Sequence, residues 1–248
     1  MRHVAAIGFD LFNTLIEANA GALNEAMDRL IQSLQKNGLA GDPNAITVSY
    51  EQAAVSHIEK AHQSGKETHN RFWICDALNR HGGRLSPDDF RIAEAVDAYF
   101  SAFYPNCRLI PGVTEILTDL KGQYHLGLLS NFTHPQAAMT IIDQLNLTPF
   151  FETIVISGDV GYRKPHPRIF DRFVDNLKTE RGKTLFIGDD LEADVQGAER
   201  SGLIPIWITY ARDRKLPFTS GKFFSGGELP GNHIPRISAW HELFPLLH

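Results

Sequence analysis

Five short, nearly unbroken apolar runs recur along the chain, at residues 4–9, 124–129, 153–156, 184–187 and 203–208, and they limit its fold more than any other feature. A strand with one wet face alternates apolar and polar side chains. A run that is apolar throughout suits a strand buried on both faces, as in the centre of a parallel sheet. The segments between these runs carry helical spacing. Pro135 suits a first helical position, and Ala138, Ile141, Ile142 and Leu145 follow on one face. Phe170, Phe173, Val174 and Leu177 repeat the spacing, as do Leu191, Val195 and Ala198 before a stop at Gly202. Strand alternating with helix predicts an α/β fold, a doubly wound parallel sheet. Residues 234–237 and 240–247 complete it as a last short strand and a closing helix.

Residues 18–105 break the alternation. Leu23, Met27, Leu30, Ile31 and Leu34 line one helix face before Gly38, and 43–60 and 69–80 also read as helices. Ser86-Pro87-Asp88-Asp89 predicts a helix start capped by the serine, leading to Ile92, Val96, Tyr99, Phe100 and Phe103 on a face. The expected division is therefore a core of residues 1–17 and 106–248, with an all-helical unit, 18–105, inserted in it. Segment 211–233 fits neither pattern. It holds Gly221, Gly226, Gly227 and Gly231 among Arg212, Arg214, Lys215, Phe218, Phe223 and Phe224, and is expected to pack beside the site or form a dimer contact.

Composition narrows the partners. Acidic residues outnumber basic ones, 29 to 24, and no basic stripe marks a nucleic-acid surface. The N-terminal apolar run is short and ends at an acid, unlike a secretory signal, and nothing approaches the ~18 consecutive apolar residues of a membrane span. Cys75 and Cys107 lie far apart in no metal-binding pattern, and the eleven histidines show no zinc spacing. The expectation is a soluble cytoplasmic protein acting on a small molecule, not on nucleic acid or membrane; monomer and homodimer both stay open.

Ligands of open parallel sheets bind outside the carboxyl ends of the strands. Asp10, Ser130, Lys164 and Asp189 all fall at such ends or in the loops that follow them. Singly, each is ordinary turn or cap chemistry; jointly, they point to a site.

The stretches FDLFNTL, LLSN, GYRKPHPRIF and FIGDDLEADVQGA resemble the four motifs of the haloacid dehalogenase-like (HAD) hydrolase superfamily, in order and over nearly the whole chain. The helical insert is similar to that family's type 1 cap, and the resemblance implies a Rossmann-like core. It also implies Asp10 as a nucleophile that forms a covalent intermediate. Lys164 and Ser130 would offset and fix the charge of a phosphate, with Thr14 and Asn131 beside it. Magnesium, which prefers oxygen ligands, would take the carboxylates of Asp10 and Asp189 and the backbone carbonyl of Phe12. Asp194 would orient the lysine or a metal-bound water. Asp190 would share that work or cap the following helix, the cap being favoured. In the cap, Arg71 and Arg29 are candidate anion binders, while Phe72 and Trp73 read as core.

Phe12 departs from the pattern. Phosphatases of the family usually carry an aspartate two residues after the nucleophile, to protonate the leaving oxygen and then activate water. A phenyl ring does neither, and losing such a group costs ~10²–10⁴-fold in rate. The metal ligand at this place is a carbonyl, so the ion's site survives. The reading preferred is a magnesium-dependent phosphohydrolase acting through an aspartyl-phosphate on a small phosphorylated metabolite whose leaving group needs no proton, such as an acyl or aryl phosphate. Proton transfer from elsewhere would also serve, and His134 is nearest in sequence, although it reads better as a cap before Pro135. Two alternatives stay open. A 2-haloacid dehalogenase carries an aromatic residue at this place because halide leaves without a proton, but such enzymes lack the metal, and Asp189 without a cation would repel a haloacid. The other is a catalytically weak protein that binds a phosphorylated ligand.

Overall fold

The structure is a computed structural model that describes residues 4–39, 41–216, 231 and 233–247. The chain opens with β1 (Ala6–Phe9) and β2 (Ile16–Ala18), then four helices: α1 (Ala22–Lys36), α2 (Pro43–Ser64), α3 (Asn70–Asn79) and α4 (Phe90–Ser101). After β3 (Cys107–Leu109), strands and helices alternate: α5 (Val113–Leu120), β4 (His125–Ser130), α6 (Pro135–Gln144), β5 (Thr153–Ile156), α7 (Ser157–Val160) and α8 (Pro167–Leu177). Then come β6 (Thr184–Gly188), α9 (Gly197–Arg200), β7 (Ile204–Ile208), α10 (Tyr210–Asp213), β8 (Arg236–Ile237) and α11 (Phe244–Leu247).

Six strands form one sheet in the order β5-β4-β1-β6-β7-β8, parallel at every pairing. The unbroken apolar runs follow from this placement. Ile7 and Phe9, Leu126 and Leu128, and Leu185 and Ile187 enter one core with α5 and α6. Ala6, Leu129 and Phe186 enter a second with Ile169, Phe170 and Phe173 of α8. Successive residues of a strand point to opposite faces, and here both faces are dry. Helix α8 lies close: a Cβ at Gly8 or Gly127 would come within 2.7 Å of the Phe173 ring, so glycine on the two strands admits it.

Helices α1–α4 build a separate cluster around Leu30, Leu34, Ile74, Ile92 and Val96. The two stretches that join them to the sheet, β2 and β3, pair as an antiparallel ribbon, a feature the sequence pattern does not announce in runs of three. Ser86 does not cap α4: its hydroxyl accepts from the Asp88 amide, 3.2 Å, within a turn. Asp89 is the cap, accepting from the Arg91 amide at 2.9 Å while also holding the Arg91 guanidinium at 2.7 Å.

The helix expected after Gly188 opens as a π-helix, Leu191–Gln196, and only its end, α9, is α-helical. Of segment 211–233, residues 211–213 belong to the short helix α10, where no helix is expected from the pattern; 217–230 and 232, with Phe218, Phe223 and Phe224, lie outside the described residues. No helix among the described residues is long and apolar enough to cross a membrane.

Candidate active site

The site begins where β1 ends. The Asp10 amide donates to the Ile187 carbonyl at 2.9 Å, extending the β1–β6 pairing by one residue before the chain turns away. The turn is tight: the Asn13 amide donates to the Ile16 carbonyl at 2.7 Å, and Asn13 takes φ 60°, a left-handed conformation that asparagine tolerates better than most residues. Thr14, next in line, is fully buried and its hydroxyl has no hydrogen-bond partner among the described residues.

Lys164 joins this turn from the loop after α7. Its ammonium lies 2.6 Å from Asp10 Oδ1 and 2.6 Å from Asp194 Oδ1, and it donates to the Leu129 carbonyl at 2.9 Å. Burial opposes charge on this lysine, but Asp10 and Asp194 outweigh it and hold its pKa above the ordinary lysine value. Burial also raises the Asp194 pKa; Lys164 opposes that shift, and Asp10 and Asp190 add to it. The lysine therefore keeps its proton, and the cluster around it is a compact set of opposed charges.

Asn131 binds the lysine's own backbone. Its carboxamide accepts from the Lys164 amide at 2.8 Å and donates to the Lys164 carbonyl at 2.9 Å, so its side chain clamps the lysine's backbone. Ser130, at the last position of β4, is buried.

The loop after β6 carries the remaining acids. Asp190 caps the π-helix, accepting from the amides of Glu192 and Ala193 at 2.9 and 2.8 Å, as the cap reading expects. Asp194 answers it by accepting from the Asp190 amide at 3.0 Å. To do so its carboxyl folds beneath Gly188, where a Cβ would come within 2.3 Å, and the helix widens to a π-turn. Asp189 is half-buried, its carbonyl accepting from the Trp207 indole at 3.0 Å. Carboxylate oxygens of Asp10, Asp189 and Asp194 lie within 4.8 Å of one another. A hard cation with oxygen ligands fits such a set.

Phe12 packs against the sheet core. Its ring stacks on Phe132, with centroids 5.5 Å apart and planes 8° apart. Phe132 meets Phe100 of α4 at 5.3 Å, Phe100 stacks on His134 at 4.9 Å, and His134 meets His69 at 5.4 Å. His134 is the cap of α6, its Nδ1 accepting from the Ala137 amide at 3.1 Å. His69 caps α3 in the same way, accepting from the Arg71 amide at 3.1 Å. Burial lowers both pKa values, that of His69 to about 4, where His134 and Arg71 add to the effect. In each neutral ring Nδ1 thus carries no proton and can accept the amide hydrogen bond.

Arg71 and Arg29 are not among the groups brought together around Asp10. Arg71 pairs with Asp88 at 2.8 Å over the face of Phe72, and Arg29 pairs with Glu25 and donates to Ser101 at 2.8 Å. Trp73 is buried in the helical core and Phe72 packs against it, as their apolar character suggests. The clamp by Asn131 and the aromatic seam behind Phe12 carry no local sequence signal, since both depend on contacts between distant segments.

A glyceraldehyde 3-phosphate phosphatase of Pyrococcus furiosus is 27% identical over 87% of this chain and 85% of its own length. An N-acylneuraminate-9-phosphatase of Mus musculus is 30% identical over 89% and 88%. Among solved structures, a 2-haloacid dehalogenase from Pseudomonas syringae superposes with a TM-score of 0.70 at 19% identity, covering 98% of both chains, which shows a shared fold. Residues 4–202 match the family model of haloacid dehalogenase-like hydrolases, and the chain belongs to that family of hydrolases.

Proposed function

We propose that the chain is a phosphohydrolase for a small phosphorylated metabolite, with Asp10 as nucleophile. The observation that carries this is the Lys164 ammonium 2.6 Å from Asp10 beside the clustered carboxylates of Asp189 and Asp194. An Asp10 oxygen bonds to phosphorus as the bond from phosphorus to the leaving oxygen breaks, giving an aspartyl-phosphate. Water then attacks phosphorus and frees Asp10; the released dihydrogen phosphate keeps both protons of that water. Lys164, held by Asn131, offsets negative charge on the phosphoryl group, and Ser130 and the Thr14 hydroxyl, which has no partner among the described residues, supply donors.

Asp10, Asp189 and the Phe12 carbonyl would hold Mg²⁺, while Asp194 is committed to Lys164 and the Asp190 amide. When bound, the ion supplies positive charge that lets an anion approach a phosphate. The helical unit, residues 18–105, acts as the cap that closes over the site and excludes water. Two free thiols suit a reducing, cytoplasmic setting.

Phe12 has no proton to give, so the leaving group departs as a stable anion, which favours acyl and aryl phosphates. Phe12 is also what a dehalogenase would carry, and the fold is shared with one. Asp189, grouped with Asp10, weighs against a substrate that brings a carboxylate to an ion-free site.

Release of phosphate from acetyl phosphate and p-nitrophenyl phosphate, with magnesium and with EDTA, tests the proposal. Magnesium-dependent turnover that Asp10→Asn abolishes is expected. Halide release from 2-haloacids with no phosphate release would replace this reading with the dehalogenase.

A further inference from the structure

Glu67 stands out among acids remote from the catalytic cluster. It lies between α2 and α3, and only 2% of its side chain is exposed. Its partners beyond its own loop come from the α/β core. Ser157, the first residue of α7, donates its hydroxyl to Glu67 Oε2, and the Arg163 guanidinium approaches Oε1 at 3.4 Å. Within the loop the Thr68 amide donates to Oε1 at 2.8 Å. A carboxylate so buried is tolerable only while these donors stay in place.

Those donors lead to the lysine. Arg163 directly precedes Lys164. The Ser157 hydroxyl also accepts from the Phe132 amide at 2.8 Å, and Phe132 follows Asn131, whose carboxamide clamps the Lys164 backbone. Backbone pairing runs beside this path. The Glu67 amide donates to the Gly161 carbonyl and the Arg163 amide to the Gly65 carbonyl, both at 3.0 Å, around an antiparallel bridge from Lys66 to Tyr162.

We propose that Glu67 is a positioning residue that ties closure of the helical unit to the placement of Lys164. The proposal rests on the phosphohydrolase reading only in its kinetic arm. With the helical unit seated, Glu67 holds Ser157 and Arg163, and through them both flanks of the lysine loop. With it lifted, Arg163 and Ser157 lose this partner and the loop is free to shift. Misplacing a catalytic group by about 1 Å is enough for a ~10²-fold loss.

The test compares the full chain with Glu67→Gln and Glu67→Ala by two measurements. The first is hydrogen exchange over residues 161–164, which needs no substrate. The second is kcat and KM for p-nitrophenyl phosphate with magnesium. Faster exchange there in both variants is expected, with kcat lowered ~10–10²-fold and KM changed less. Unchanged exchange in a folded variant overturns the proposal, as does a lowered melting temperature with kcat and exchange intact, which marks a merely structural acid. If neither variant folds, Arg163→Ala removes one Glu67 contact from the core side and takes the same two readouts. If the wild-type chain releases no phosphate, the phosphohydrolase reading fails while the exchange measurement still decides the role of Glu67.

Discussion

Phe12 shows how one side chain can serve two parts of a molecule. The position lies two residues past Asp10, and its ring is stacked on Phe132 and so linked to Phe100 of the helical unit. Replacing it by aspartate restores an acid where the family usually has one, and removes a stacked pair worth about 0.5–1.5 kcal/mol. The expected result for Phe12→Asp is therefore a trade. The kcat/KM ratio of an alkyl phosphate over p-nitrophenyl phosphate should rise by at least ~10-fold, because only the alkyl leaving group needs the proton. The melting temperature should fall by a few degrees, as about 1 kcal/mol lost in a domain of this size implies. An unchanged ratio would show that leaving-group protonation is not what Phe12 denies the enzyme. The residues around Lys164 were legible in part. Asp10 and Asp189 sit at strand ends and Lys164 in a loop that follows one, placements the apolar runs reveal, whereas Asp194 reaches the lysine from within the π-helix. Asn131 stands beside Ser130 in the same readable motif, yet its use as a backbone clamp depends on where the loop carrying Lys164 arrives from, 33 residues on.

At the scale of elements, the strands were the most readable part of the chain, since Ile7, Gly8 and Phe9 are dry on both faces and no polar residue interrupts them. Helix starts were less so. Ser86 and Asp89 both offer a capping oxygen, and only the added hold on Arg91 decides for Asp89. The π-turn at Leu191–Gln196 was illegible because a tertiary demand, Asp194 reaching Lys164 beneath Gly188, overrides an ordinary α-helical pattern. Two elements share a rarer device: α3 and α6 are each capped by a neutral histidine, and the rings of His69 and His134 meet at 5.4 Å. Arg71 stands near His69, and Asp97 lies 3.6 Å from His134. The His69 pKa falls from 6.5 to about 4 in the folded chain, so between those values the unfolded chain binds a proton that the folded one does not. Stability is then complete above about pH 6.5 and declines as pH falls toward 4, by on the order of 1–2 kcal/mol after allowing for partial exposure. Asparagine keeps a capping oxygen and does not titrate. Urea unfolding at pH 7 and pH 5 should show a smaller acid loss for His69→Asn than for wild type; equal losses would assign the acid sensitivity elsewhere.

The whole molecule is two packed units held together at a few places. One has a core on each face of the parallel sheet, the other has its core within α1–α4, and the β2–β3 ribbon is the covalent bridge between them. Apart from the ribbon, the described contacts include the aromatic seam from Phe12 to His69, the hydrogen bond between His62 and Glu192 at 2.9 Å, and the pairing of residues 65–67 with 161–163. Such an assembly can open without either core melting, because separation exposes a seam and not a centre. Gly65 offers the most direct handle on that equilibrium. It takes φ 66°, and a Cβ there would come within 2.5 Å of the His166 ring, next to the loop that carries Lys164. In Gly65→Ala the backbone loses about 1 kcal/mol from its left-handed conformation, and the pairing must part or His166 must move. Far-ultraviolet circular dichroism should stay at the wild-type value, since neither core is touched. Exchange of the Arg163 amide should quicken and KM for p-nitrophenyl phosphate should rise several-fold, because the open form gains population at the expense of the closed one. Should exchange and KM both match wild type, the His166 ring has simply turned aside, and closure is governed by the aromatic seam and the His62–Glu192 hydrogen bond in place of this loop.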